Sequence, residues 1–256
     1  QRSPASAHSL PWLAEIGWGS VPPEKPRMAR RHRLDVPGVA QHVIQRGVDR
    51  GVCFCDEHDR EFYLATLSEV AGGHDCAVHA YVLMTNHVHL LITSRRAGGL
   101  SRLMQGLGRR YVRWFNDRHG RTGTLWEGRF RSCLVDTERY VLSCYRYIEM
   151  NPVRAHMTSD PLEYRWSSAR GNAGPGEDPM LSPHESYASL SSDPATRRRR
   201  YRALLAAALD PDEVGDIRAH VNQGAAYGSG RFQRQIEALT GRTSRLRTKG
   251  RPRNAH

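Results

Sequence analysis

Met84-Thr85-Asn86-His87-Val88-His89-Leu90-Leu91-Ile92 sets two histidines one residue apart inside an apolar, β-leaning run. Side chains alternate on a strand, so His87 and His89 project from one face while Val88, Leu90 and Ile92 point into a core. Two neutral imidazoles on a rigid strand make a clamp for a divalent metal. A plain structural strand can carry the same pair, so its weight comes from what lies downstream. There, the segment from Tyr140 to Met150 has helical spacing and three tyrosines. Val141, Leu142, Tyr145 and Ile148 share the face expected to pack on a sheet. Tyr140, Cys144, Tyr147 and Asn151 form a second stripe, on which Tyr147 and Asn151 are i and i+4 and should meet. Tyr145 reads as the core tyrosine and Tyr147 as the working one.

These residue types fit one chemical task. A phenol is a poor nucleophile near neutral pH because its pKa is about 10. A divalent metal can polarise a phosphodiester oxygen while the bond is attacked. A covalent phosphotyrosine then splits strand transfer into two steps. The task needs two imidazole ligands, a third polar ligand, a tyrosine and a basic surface. His87, His89, Asn151, Tyr147 and an arginine stripe can supply them.

The 256-residue chain carries 38 Lys+Arg against 26 Asp+Glu, a formal charge of +12 that is nearly all arginine. The planar guanidinium fork suits phosphate, which points to a nucleic-acid partner. Five cysteines with no repeated Cys-x-x-Cys argue against a disulfide framework and a four-cysteine zinc site. Reduced thiols in a cytoplasmic protein are the expectation. Cys53-x-Cys55 with His58 is at most half a zinc site. No apolar run reaches the ~20 residues needed to span a bilayer.

The elements that must position the candidates follow from periodicity. Val39 to Gln45 reads as a strand, Asp56 to Ala71 as a helix stopped by Gly72-Gly73, and Cys76 to Met84 and His87 to Thr93 as a tight hairpin. Leu100, Leu103, Met104, Leu107, Tyr111, Trp114 and Phe115 mark a long amphipathic helix. Arg102, Arg109 and Arg113 stripe its other side, either as a solvated face or as a phosphate track beside the site. Cys133-Leu134-Val135 is a last strand before the tyrosine helix, which stops at Asn151-Pro152. The order β-α-β-β-α-β-α implies an α+β, ferredoxin-like fold: an antiparallel sheet with helices packed on one face. Residues 1–27 read as an irregular leader, 28–170 as the catalytic domain and 171–192 as a linker. Residues 193–256 read as a small helical basic extension, with an apolar stretch from Tyr201 to Leu209, a short helix near Phe232 to Leu239, and a disordered tail.

Three stretches together, Met84 to Leu91, Gly120-Arg121-Thr122-Gly123-Thr124-Leu125-Trp126-Glu127-Gly128-Arg129-Phe130-Arg131-Ser132, and Tyr145-Arg146-Tyr147-Ile148-Glu149-Met150-Asn151-Pro152-Val153-Arg154-Ala155, resemble the REP-associated tyrosine transposases. These are single-tyrosine relatives of the HUH transposases of small bacterial insertion sequences, and the resemblance runs from about Met28 to Ala169. It implies that His87 and His89 are the metal pair, Asn151 the third ligand position and Tyr147 the nucleophile. It further implies cleavage of single-stranded DNA beside hairpins, leaving a 5′-phosphotyrosine and a free 3′-hydroxyl. Mg²⁺ or Mn²⁺ would be the cofactor, with no nucleotide. The protein would be cytoplasmic and nucleoid-associated, as a monomer or homodimer. Arg129 and Arg131 are expected near the DNA, and Trp126 either stacks on an unpaired base or is a core residue. The basic tail after Arg242 would add non-specific affinity. The alternative functions are a domesticated hairpin-DNA-binding protein with little turnover, a sheet-based RNA binder and a rolling-circle replication initiator. The RNA binder is disfavoured because the His87–His89 face has no aromatic on its strand. The initiator usually needs a longer chain.

Overall fold

A computed structural model describes residues 33–137, 139–207 and 209–247. The expected leader and the end of the basic tail lie outside the described residues. Four strands, β1 (Ala40–Arg46), β2 (Cys76–Leu83), β3 (His87–Ser94) and β4 (Arg131–Leu134), form one antiparallel sheet in the order β2-β3-β1-β4. Helix α1 (Glu57–Gly73) joins β1 to β2, and α2 (Gly99–His119) joins β3 to β4. Next come α3 (Arg139–Glu149), which carries the tyrosines, and α4 (Asn151–Arg154). The chain continues through α5 (Ala169–Ala173), α6 (Glu185–Ala188), α7 (Pro194–Ala206), α8 (Pro211–Gln223) and α9 (Gly230–Thr240). The β-α-β-β-α-β-α order and the α+β class are those expected.

Local signals explain the boundaries. Asp56 caps α1 by accepting from the Asp59 N–H at 3.1 Å, and Ser229 caps α9 by accepting from the Phe232 N–H. Helices α7 and α8 both open with Asp-Pro, at Asp193-Pro194 and Asp210-Pro211, with the aspartate accepting a first-turn N–H and proline fixing the first helical φ. The periodicity argument did not foresee α8. Between β2 and β3 the Met84 N–H donates to the His87 carbonyl at 2.9 Å and closes the hairpin that presents the histidines. Gly47, at the end of β1, donates its N–H to the Asn86 carbonyl at 2.8 Å and pins that hairpin tip. A Cβ there would lie 2.2 Å from the Gly51 carbonyl oxygen, so the close approach requires glycine.

One difference concerns the layers. Helices α1 and α2 do share one face, packing on Val43, Val88, Leu90 and Ile92. Helix α3 lies on the opposite face, against Ala80, Val82 and Leu91, so helices cover both sides. The second layer is completed by the C-terminal helices. Tyr201 and Leu205 of α7 and Val214, Ile217 and Val221 of α8 join Val141, Tyr145 and Ile148 in one core. The stretch expected as a linker, 171–192, contributes buried Asn172, His184 and Tyr187 to the same layer. The apolar side of α3 and the exposed sheet face need this cover, which a detached appendage could not provide. None of the described helices is long and apolar enough to cross a membrane.

Candidate active site

The cross-strand register builds the site. Val82, His89, Ile44 and Arg131 lie opposite one another across the four strands, and His87 faces Arg46. Residues two apart share a face, so His42, Ile44 and Arg46 of β1 stand with His87 and His89. This is the face on which α3 packs. Tyr147 arrives with its ring centroid 5.6 Å from that of His89 and 5.5 Å from that of His42. The two sequence-predicted histidines have ring centroids 5.1 Å apart, nearly perpendicular.

His42 is the member that sequence reasoning missed. It is fully buried, stacks on His89 at 5.1 Å, and its Nε2 lies 2.9 Å from His89 Nδ1. The available signal was a histidine two residues before Ile44 and four before Arg46, on the same face of one strand. Burial drops the His42 pKa to about 3, helped by the Arg154 charge, so the ring is neutral at physiological pH. Burial likewise drops His87 to about 4, with Arg46 adding to the effect, and pushes His89 well below its ordinary value. All three imidazoles therefore keep lone pairs near neutrality.

The donor set fits a divalent metal. His87 Nδ1 donates to Asn86 Oδ1 at 2.7 Å, which leaves Nε2 as the lone-pair nitrogen. If His89 Nδ1 carries its proton and donates to His42 Nε2, then His89 Nε2 is also free to ligate. Holding the non-ligating nitrogen in a hydrogen bond is how metal-binding histidines are oriented. Asn151 opens α4 after a break at Met150, and its carbonyl accepts from the Ala155 N–H. Among the described residues, no hydrogen bond joins its side chain to His87, His89 or Tyr147.

The two tyrosines separate as their helical phases imply. Tyr145 is wholly buried, stacked on Tyr187 and edge-on to Tyr201, with its hydroxyl accepting from the His184 N–H at 3.2 Å. Tyr147 is 4 % exposed and its hydroxyl accepts from Arg218 Nε at 3.4 Å. Arg154 lies over its ring, 4.4 Å from the centroid, and donates to its backbone carbonyl. Burial and the Arg218 charge lower the Arg154 pKa to about 10.

The basic elements divide. Arg129 and Arg131 are exposed and line a small open cleft with Arg46, Glu127 and Asn222. Arg131 donates to Asn222 at 2.7 Å. Arg102, Arg109 and Arg113 do not lie beside the site. They are exposed on the outside of α2, across the sheet from the histidines, because the apolar side of α2 packs on the opposite face. Trp126 is a core residue, 5 % exposed and edge-on to Tyr63, which removes it as a stacking platform. A separate group, Cys55, Asp59 and His119, draws together beside α1, where Asp59 is already bonded to Arg118 at 2.6 Å.

Residues 35–151 match the family model described as "Transposase IS200 like". Among solved structures, the chain is similar to a REP-associated tyrosine transposase bound to a REP hairpin. That likeness has 15% identity and a TM-score of 0.49, and covers 62% of this chain and 93% of the other. It is also similar to a protein of Deinococcus radiodurans R1 described as a candidate transposase, at 17% identity and a TM-score of 0.33, covering 50% of this chain and 90% of that one. The comparison with curated proteins returned no match.

Proposed function

We propose that the chain, whose residues 35–151 match the model described as "Transposase IS200 like", cleaves and rejoins single-stranded DNA beside hairpins by way of Tyr147. The observation that carries this reading is the packing of the Tyr147 ring against His89 on the face that holds His87. A divalent ion, Mg²⁺ or Mn²⁺, held by His87 and His89 would supply charge neutralisation at the scissile phosphate. Asn151 is retained as the third ligand only as an expectation from the motif. The chain's own residues do the rest. Tyr147 Oη forms a bond to phosphorus as the bond from phosphorus to the 3′ oxygen breaks. The electron pair leaves on that oxygen, which takes up a proton, while the phenolic proton passes to solvent. His42 holds His89 in orientation. Arg46, Arg129 and Arg131 line the route of the strand.

The test is incubation with a labelled hairpin-tailed single strand and detection of an adduct that survives denaturation. Tyr147→Phe should abolish the adduct and leave DNA binding largely intact, because only the phenolic oxygen is lost. Tyr145→Phe should be far milder. Chelation should stop the reaction, Mn²⁺ should restore it at least as well as Mg²⁺, and His87→Ala or His89→Ala should mimic chelation. An active Tyr147→Phe protein beside an inactive Tyr145→Phe protein would refute the assignment. So would cleavage in chelator by the double-alanine variant.

A further inference from the structure

Two guanidinium groups converge on Tyr147, and among the described residues neither has a carboxylate partner. Arg154 lies 4.4 Å over the ring, and its Nε and one terminal nitrogen are buried with no hydrogen-bond partner among the described residues. Arg218 reaches the phenolic oxygen from α8 at 3.4 Å. Among the described residues no carboxylate pairs with either one, whereas Arg110, Arg118 and Arg165 all have carboxylate partners. Buried donors left unpaired are costly, and native proteins keep them where a ligand will satisfy them. The ligand that fits two adjacent forks around a tyrosine oxygen is an anion with several acceptor oxygens.

We propose that Arg154 and Arg218 form a cradle for one phosphodiester, gripping the non-bridging oxygens of the scissile phosphate and then of the tyrosine-linked phosphate. The inference rests on the reading of Tyr147 as nucleophile. It goes further in making the helix α8, which lies outside the stretch matched by the family, part of the site. Arg218 turns from the phenol to the incoming phosphate, a short movement for an exposed side chain. Arg154, pinned by its bond to the Tyr147 carbonyl, stays in place.

The test uses the full chain and a mixed-sequence hairpin oligonucleotide with single-stranded flanks. Binding is followed at several salt concentrations for the wild type, Arg154→Gln, Arg218→Gln, Arg218→Lys and, as a control across the sheet, Arg113→Gln. Each glutamine variant at the cradle should flatten the slope of log affinity against log salt by about 0.7, the value for one single-strand phosphate contact. Arg113→Gln should leave it unchanged. The same slopes are expected in a Tyr147→Phe background, because the cradle does not need the phenol. At saturating DNA, Arg218→Gln should slow adduct formation about tenfold to a hundredfold, the worth of a charge-assisted hydrogen bond. Arg218→Lys should recover part of that rate. Arg154→Gln can also loosen α3, so the exposed Arg218 carries the decision. Wild-type slope and wild-type rate in Arg218→Gln would overturn the cradle. Altered slopes with no adduct from any protein, wild type included, would keep the phosphate site and sink the nucleophile reading instead.

Discussion

Tyr201→Phe removes a single oxygen and should loosen the helix that carries Tyr147. Glu149, two residues after Tyr147 on α3, is fully buried. One of its carboxyl oxygens accepts from Ser168 Oγ at 2.6 Å and Asn172 Nδ2 at 2.7 Å. The other accepts from Tyr201 Oη at 2.6 Å, so α7 holds α3 through that bond. Burial pushes the Glu149 pKa up, against the pull of these three donors, so the group depends on them. Losing a buried hydrogen bond to a charged group costs about 1.5–3 kcal/mol. For a chain of this size that is a fall in melting temperature of about 3–12 °C. Melting followed by near-ultraviolet circular dichroism reads the shift, and amide exchange should quicken over Tyr145–Glu149. In a Glu149→Gln background the same substitution should cost clearly less, because the two side chains act as one unit. A Tyr201→Phe protein that melts within about 1 °C of wild type, with unchanged exchange in α3, would refute the anchor.

Gly47→Ala should cost about 1–3 kcal/mol in denaturant midpoint experiments, since its Cβ would meet the Gly51 carbonyl oxygen at 2.2 Å and strain the turn beside His87. A loss under about 0.5 kcal/mol would show that the turn yields freely. His79 is 4 % exposed, with Nδ1 2.6 Å from the Ser182 carbonyl and Nε2 2.8 Å from Thr93 Oγ1, and burial lowers its pKa from 6.5 to about 4. The unfolded chain therefore binds more protons here between those values, so this stabilisation is complete above pH 6.5 and lost as pH falls towards 4, an effect of about 3 kcal/mol. Urea unfolding at pH 7.5 and 4.5 should show a smaller acid loss in His79→Gln than in wild type. Equal losses would contradict the buried, neutral assignment.

The sequence by itself determined what short-range periodicity controls. A two-residue repeat put His87 and His89 on one side of β3, and a 3.6-residue repeat put Tyr145 and Tyr147, both buried, on different sides of α3. Runs of apolar residues between Gly, Asn and Pro breaks yielded the β-α-β-β-α-β-α order. Periodicity says which residues share a face but not which face of the sheet a helix will cover. That choice depends on crossovers and on what else is left to bury, and it separated the arginines of α2 from the histidines. The same long-range packing buried Trp126, brought His42 from β1 against His89, and drew α7 and α8 over α3. It thereby set Arg218 on the oxygen of Tyr147. The Tyr147–Arg218 contact joins residues 71 positions apart, and no local pattern encodes it.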